Sequence, residues 1–322
     1  MAMIESGVSL LPQALTESAL SDDLAQGDVV LGTIGPVLGH LLANQDQSLF
    51  SDEVVARVRG MVSHVAMQLL LAQAEEAGEA EPYAFAQGRR DALAAELAGF
   101  QPLLTHCHAL ALEWQLAMRL EARNVIDPVL SPLLQALIAS DDGSTASAAM
   151  AALTAQARFI QQQRRMELPV HELPGDLFHN ALLIWANCSV DDAAPAVAKA
   201  QATARATFDE SASRAGLLAR SVAMMGKGAM AAMSLDHAGL AIFLTTLASA
   251  SGQDRDIVAI STNDRQMTRL ALAMRAAGVS PRDLEKQFLF IHPDAALPAG
   301  VEALSAERAA ILLAASRRNT AG

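Results

Sequence analysis

Two apolar ladders stand out along the chain. Leu240, Phe243, Leu244 and Leu247 recur at i, i+3, i+4 and i+7, and so do Met267, Leu270, Ala271 and Met274. That spacing places each set on one face of an α-helix. Each ladder stops at a glycine, Gly252 or Gly278, and each glycine is soon followed by Arg-Asp and an aliphatic residue: Arg255-Asp256-Ile257 and Arg282-Asp283-Leu284. The pattern predicts a helix, a stop and a second helix, written twice at an offset of about 27 residues. Repetition of this kind hints at a helical solenoid.

The rest of the chain reads in the same way. A first short helix is predicted over residues 10–27, starting near Pro12, with Asp28 capping a second that runs through Leu42 to an asparagine. The second carries Gly32, Gly35 and Gly39, which predicts one close helix crossing, and Pro36, which predicts a kink. Ser51-Asp52-Glu53 is a strong helix start, a capping hydroxyl followed by acids at the positive end of the dipole. Val54, Val58, Met61, Val62, Val65, Leu69 and Ala72 then form one broad stripe. The acidic stretch from Glu75 to Pro82 is a candidate boundary. Further helices are predicted from Tyr83 to Leu97, from Pro102 to Asn124, between Pro128 and Pro132 and the Asp141-Asp142-Gly143 stop, and from Ser144 to Met166. Leu168 to Asp176 holds two prolines and a glycine and is a second boundary. Helices follow over Leu177–Ala186, Asp192–Phe208, Ser211–Met225 and Ala306–Ser316, with Ser305 and Glu307 as caps and a frayed tail from Asn319.

Composition agrees with helices. Hydrophobic residues make up 52 % of the 322, but aromatics only 4 %. The apolar content is mostly Ala, Leu, Val, Ile and Met, which favours helices overall and close helix approach. The expected fold class is all-α, a multi-helix array of helical hairpins in the manner of HEAT repeats. Three regions are expected: 1–80, 81–170 and a helical-repeat domain over 175–322.

The net charge is −12, and only Lys199, Lys227 and Lys286 among the basic residues are lysines. The arginines fall in scattered pairs such as Arg89-Arg90, not in a basic face, which argues against nucleic-acid binding. Two cysteines without a CxxC make neither a disulfide framework nor a zinc ribbon, and a reduced cytoplasmic setting is expected. The start MAMIESGVSL lacks the features of a signal peptide. The longest uncharged runs, 29–45 and 237–253, fall short of the ~20 residues of a membrane span.

Residues 235–290 resemble the C-terminal part of an uncharacterised all-helical family of alphaproteobacteria, a domain of unknown function. The resemblance is carried by Gly239, Leu240, Phe243, Gly252, Asp254, Arg255, Asp256, Arg269–Leu272 and Arg275–Gly278. It implies an all-helical fold and brings no activity, cofactor or catalytic residue.

Candidate chemistry is sparse. His106-Cys107-His108 suggests a metal site, but on a helix i and i+2 point about 200° apart, so the imidazoles do not share an ion. Glu113 shares a face with His106 and leaves a two-ligand half-site. His64 and His179 sit in helical patterns; His64 is flanked by Val62, Val65 and Met67, which read as core, and His179 lacks the charged neighbours of a phosphorylated histidine. Gly226-Lys227-Gly228-Ala229-Met230-Ala231 matches a loose dinucleotide fingerprint, which requires a strand before it and an acid some 20 residues on. Residues 256–261 and 287–291 would read as strands in isolation, so a nucleotide-binding α/β enzyme is the alternative.

The most polar-dense segment contains Arg255, Asp256, Asn263, Asp264 and Arg269. It has two readings: helix caps with structural ion pairs, or a recognition patch in which an arginine grips a partner's carboxylate. Met224, Met225, Met230 and Met233 lie beside it. No catalytic, cofactor-binding or metal-binding residue is assigned. The expected function is a non-enzymatic scaffold or regulatory module that binds a protein partner, with a homo-oligomer as a further possible assembly.

Overall fold

The computed structural model describes residues 10–43, 51–189 and 193–320. The first residues, the asparagine at position 44, Asp192 and the last two residues lie outside the described set, and so do the expectations placed on them. Among the described residues all regular structure is helical. Fourteen α-helices can be followed there, joined by turns and short 3-10 segments.

The helices are α1 Leu10–Ala43, α2 Asp52–Ala77, α3 Pro82–Ala98, α4 Gln101–Asn124, α5 Pro132–Ile138, α6 Gly143–Arg164 and α7 Gly175–Asn187. Then come α8 Ala194–Thr207, α9 Arg214–Met224, α10 Leu235–Ser251 with a break at Gly239, α11 Arg255–Ile260, α12 Met267–Ala276, α13 Pro281–Ile291 and α14 Ala306–Thr320.

Local chemistry accounts for most boundaries. Ser51 caps α2, its hydroxyl accepting from the Val54 amide at 3.4 Å, and Asp142 caps α6 from Thr145 at 3.0 Å. Asp254 caps α11 from the Asp256 amide at 2.8 Å. The predicted stops are left-handed glycines, Gly252 at φ 63° and Gly278 at φ 86°. The α2 stripe is buried at Val54, Val58, Met61, Val62, Val65 and Leu69. α2 is also long and apolar enough to cross a membrane by length and composition alone, and half of its most apolar window is buried inside the fold.

Two expectations are corrected. The predicted pair of helices over 10–42 is one helix, α1, continuous through Asp28 and Pro36. Asp28 is buried there and bound to side chains distant in sequence, so it is not a cap. The strands imagined at 256–261 and 287–291 lie largely in α11 and α13, and Gly226–Met233 is a 3-10 segment after α9. No sheet underlies the Gly226–Ala231 string, which removes the support for a nucleotide-binding α/β fold. Consecutive helices pack in the α2–α3 hairpin and at α10–α11 and α12–α13, and further contacts skip along the chain, α2 on α8, α6 on α9 and α12 on α14.

The chain divides into two compact units. One draws on the stretches ending at Thr33, Gln115–Leu133 and Met225 onward; the other draws on Ile34–Trp114 and Leu134–Met224. In the second unit α2 and α3 form a closely packed hairpin, joined by the acidic turn, with α7 against α3 and α8 against α2 and α7. The segment after α6 is fastened to α2. His64 Nδ1 accepts from the Leu168 amide at 3.1 Å, Gln68 Nε2 donates to Leu168 O at 3.0 Å, and Gln68 Oε1 accepts from Val170 N at 3.1 Å. His64 is thereby a structural clamp. The predicted close crossing falls at Gly35 and Gly39, which lie against Gln101, Ala98 and Leu104 at the end of α3 and start of α4.

Candidate functional site

The polar segment picked out by sequence belongs to the first unit, and most of its members turn inward. Arg269 is 3 % exposed. Its guanidinium grips a carboxylate, but that of the chain's own Asp28, and it also donates to Ser316 Oγ at 2.7 Å and Gln253 Oε1 at 3.3 Å. The Ser316 hydroxyl donates in turn to Asp28. Arg255 Nε donates to Thr245 Oγ1 at 3.1 Å. Asn263 accepts from the Arg265 amide at 3.0 Å and caps a 3-10 turn. Asp264 projects outward yet holds the ring of buried His292, with Nδ1 3.0 Å from its carboxylate. Asp256 follows Asp254 in the first turn of α11. The five residues serve caps and internal bonds and do not converge on one open patch.

A parallel arrangement occupies the second unit. Arg214 forks onto the Glu113 carboxylate, donates through Nε to Gln156 Oε1 at 2.7 Å, and lies 3.7 Å from the centre of the Phe159 ring. Glu113 is 1 % exposed, so the carboxylate that shares a face with His106 is committed to an arginine. His106 and His108 are buried as well. Burial lowers the His108 pKa to about 4, so its ring is neutral at neutral pH. His292 is also lowered, chiefly by burial, against the upward pull of Asp264. His179 is exposed on α7. No group of three or more metal-ligating side chains occurs among the described residues. Of the methionine cluster, Met233 is buried while Met224 and Met230 are exposed.

The second unit also holds an open cleft of about 720 Å³ among α2, α3, α7 and α8. Its floor is Leu70, Leu93 and Trp185, all buried. Gln73 lines it too, 5 % exposed, and its Oε1 accepts from Trp185 Nε1 at 3.1 Å. That donor fixes the orientation of the amide, and the amide nitrogen finds no acceptor among the described residues. The walls carry Arg89, Glu79 and Glu96, none with an opposite charge in contact among the described residues. Arg89 lies 3.8 Å over the Phe85 ring. Cys188 is on the wall, exposed. Burial pushes its thiol up, and the Glu96 charge adds to the shift, so it stays protonated and is not an activated nucleophile.

A second hollow of about 730 Å³ in the same unit is bordered by Gly35, Gly39, Arg59 and Arg90. There Arg90 is paired with Asp91 at 2.8 Å, and Arg59 donates to Leu41 O at 3.4 Å. A smaller one of about 420 Å³ follows α1 from Asp23 to Val30, where Gln266 Nε2 donates to Gly27 O at 2.7 Å. In the first cleft Arg89 also donates to Phe85 O at 3.4 Å, while Glu79 and Glu96 have no bonded cation among the described residues.

Sequence reading missed this cleft. One signal was present: Gln73 stands four residues after Leu69 in the apolar ladder of α2, where a core position would hold an aliphatic side chain. No family model, curated protein or solved structure matches the chain.

Proposed function

We propose that this protein is a non-enzymatic, all-helical binding module that receives a protein partner in the cleft among α2, α3, α7 and α8. The observation that carries the reading is a contrast. Buried Arg214 and Arg269 are each held by a buried carboxylate, Glu113 and Asp28, whereas the cleft sets Glu79 and Glu96 over a buried apolar floor with no cation bonded to either among the described residues. A concave apolar floor with a few convergent polar groups is the common form of a recognition site. The protonated state of Cys188, held by burial and the nearby Glu96 charge, suits recognition better than nucleophilic chemistry.

The test is site-specific photocrosslinking in the cell of origin. A photoreactive side chain at Ala92, on the cleft wall, is expected to give a discrete adduct with another protein. The same group at exposed Met150 on α6 is expected to give none. Absence of an adduct from Ala92, or turnover of a substrate by the purified chain, would overturn the reading.

A further inference from the structure

We infer that His292 is an acid-sensitive latch on the segment 293–300: the neutral ring holds the segment in place, and a proton at Nε2 releases it. The device lies within the first unit and does not depend on the cleft. His292 ends α13, at φ −122° and ψ 75°. Its amide donates to Phe288 O at 2.8 Å, and its carbonyl accepts from the Ala295 amide at 3.3 Å. Residues 293–300 then run as turns and irregular chain, with Pro293, Asp294, Ala296 and Ala299 exposed. The fold takes hold again at Val301 and Leu304, both buried. The anchor at the start of the segment is the His292 side chain, 4 % exposed and tilted against Phe288 with ring centres 5.2 Å apart.

The two ring nitrogens have unlike surroundings. Nδ1 lies 3.0 Å from the Asp264 carboxylate. A carboxylate only accepts, so Nδ1 carries the proton of the neutral ring and Nε2 carries none. Nε2 is buried and meets no hydrogen-bond partner among the described residues. A second proton would make it a buried donor without an acceptor, and such a group is costly to keep from water. Proton uptake therefore favours a state in which the ring has left its seat. Burial holds the His292 pKa below its usual value and outweighs the upward pull of Asp264, while Arg119 of α4 adds to the lowering. The Asp264 side chain is 84 % exposed, so water weakens its attraction for an imidazolium. Other charges on the surrounding elements are committed or exposed. Arg123 of α4 donates to Phe290 O, Arg275 of α12 donates to Val279 O and Leu304 O, and Lys286 of α13 pairs with Asp236. Arg265, Asp294 and Glu302 are exposed.

Linkage fixes the direction. With the segment released, His292 takes up its proton near 6.5; with the segment in place, only at lower pH. The hold is thus complete above 6.5 and weakens as pH falls toward the lowered value. Within that window release gains up to about tenfold per pH unit, the limit for one linked proton. The experiment is hydrogen exchange of the full chain from about pH 7 to 5, read by mass spectrometry on peptides covering 293–300. His292→Phe keeps an aromatic ring in the seat and takes up no proton. The ratio of the native protein to this variant at each pH cancels the intrinsic pH dependence of exchange. That ratio is expected to rise below pH 6.5, by up to about tenfold per unit, while peptides from α10 and α12 stay protected. Asp264→Asn keeps an acceptor for Nδ1 but removes the charge that attracts the imidazolium, so the rise should extend to lower pH.

A flat ratio across this range would overturn the latch. So would a rise shared by the α10 and α12 peptides, which is unfolding of the unit and not release of a segment. An Asp264→Asn profile identical to that of the native protein would overturn it as well, since the carboxylate would then not be holding the ring. This last comparison needs no phenylalanine variant and decides the matter even where His292→Phe does not fold.

Discussion

Removing the guanidinium of Arg269 would leave the Asp28 carboxylate buried beside a single hydroxyl. A buried charge stripped of its partner costs about 3–5 kcal/mol, because the charge stays desolvated without compensation. Arg269→Leu is therefore expected to lower the stability measured by urea unfolding by that amount. Combining it with Asp28→Leu removes both charges and should recover most of the loss. A loss under about 1 kcal/mol for the single variant would contradict the geometry. The sequence showed Arg269 in a polar cluster but not its direction, because Asp28 lies 241 residues earlier and no local spacing links them.

Acid sensitivity is also decided at single residues. An unfolded chain takes up a proton on His108 as pH falls through about 6.5, whereas the folded chain resists until about 4. The contribution of the neutral ring is thus complete above pH 6.5 and is lost as pH falls toward 4. At 1.36 kcal/mol per unit the whole effect is roughly 3 kcal/mol. His292, lowered by burial, acts in the same direction. Unfolding free energies measured between pH 7 and 4 should decline, and His108→Gln should flatten the slope. A slope unaltered by that substitution would place the acid sensitivity elsewhere.

At the scale of the element, α1 separates helix propensity from packing. Gly32 is exposed, and a Cβ there meets nothing within 4 Å; at Gly35 the added carbon would lie 2.7 Å from Gln101 Cβ. Gly32→Ala should stabilise by about 0.5–1 kcal/mol through propensity alone. Gly35→Ala should destabilise by about 1–3 kcal/mol, since a close crossing has no room for it. Thermal melts of the two variants are expected to move in opposite directions, and a shared direction would mean that α1 does not cross α4 as described.

The C-terminus of α4 offers a related case. Val125 holds φ 55°, a left-handed position that a β-branched side chain adopts only under strain, so Val125→Gly should raise stability by about 1 kcal/mol. Elements like these were legible wherever their signals were local. Ser51 and Ser305 announced helix starts, and Gly252 and Gly278 announced stops, because a cap and its target lie within a few residues. The continuity of α1 was not legible. Asp28 has the composition of a cap, and only its distant partners show that the helix runs through it.

Across the whole molecule, sequence order and spatial grouping part company. A C-terminal helical-repeat domain over 175–322 is expected from sequence. The α10–α14 helices group with the first part of α1, up to Thr33, where Asp28 neutralises buried Arg269 and Glu17 holds Arg308 at 2.6 Å. Apolar periodicity reports which face of a helix is covered and carries nothing about which helix covers it. A fragment of residues 175–322 would keep its caps and ladders yet present Arg269 to an interior without a counter-charge. It would also leave uncovered the faces that α1 meets. The expected product is helical by far-UV circular dichroism but lacks a sharp thermal transition, the mark of retained local structure without fixed packing. Supplying a peptide of residues 10–43 in trans should restore part of the transition, because it returns both carboxylates on one helix. A fragment that melted cooperatively alone would show that the long-range pairings around Arg269 and Arg308 are dispensable to the fold.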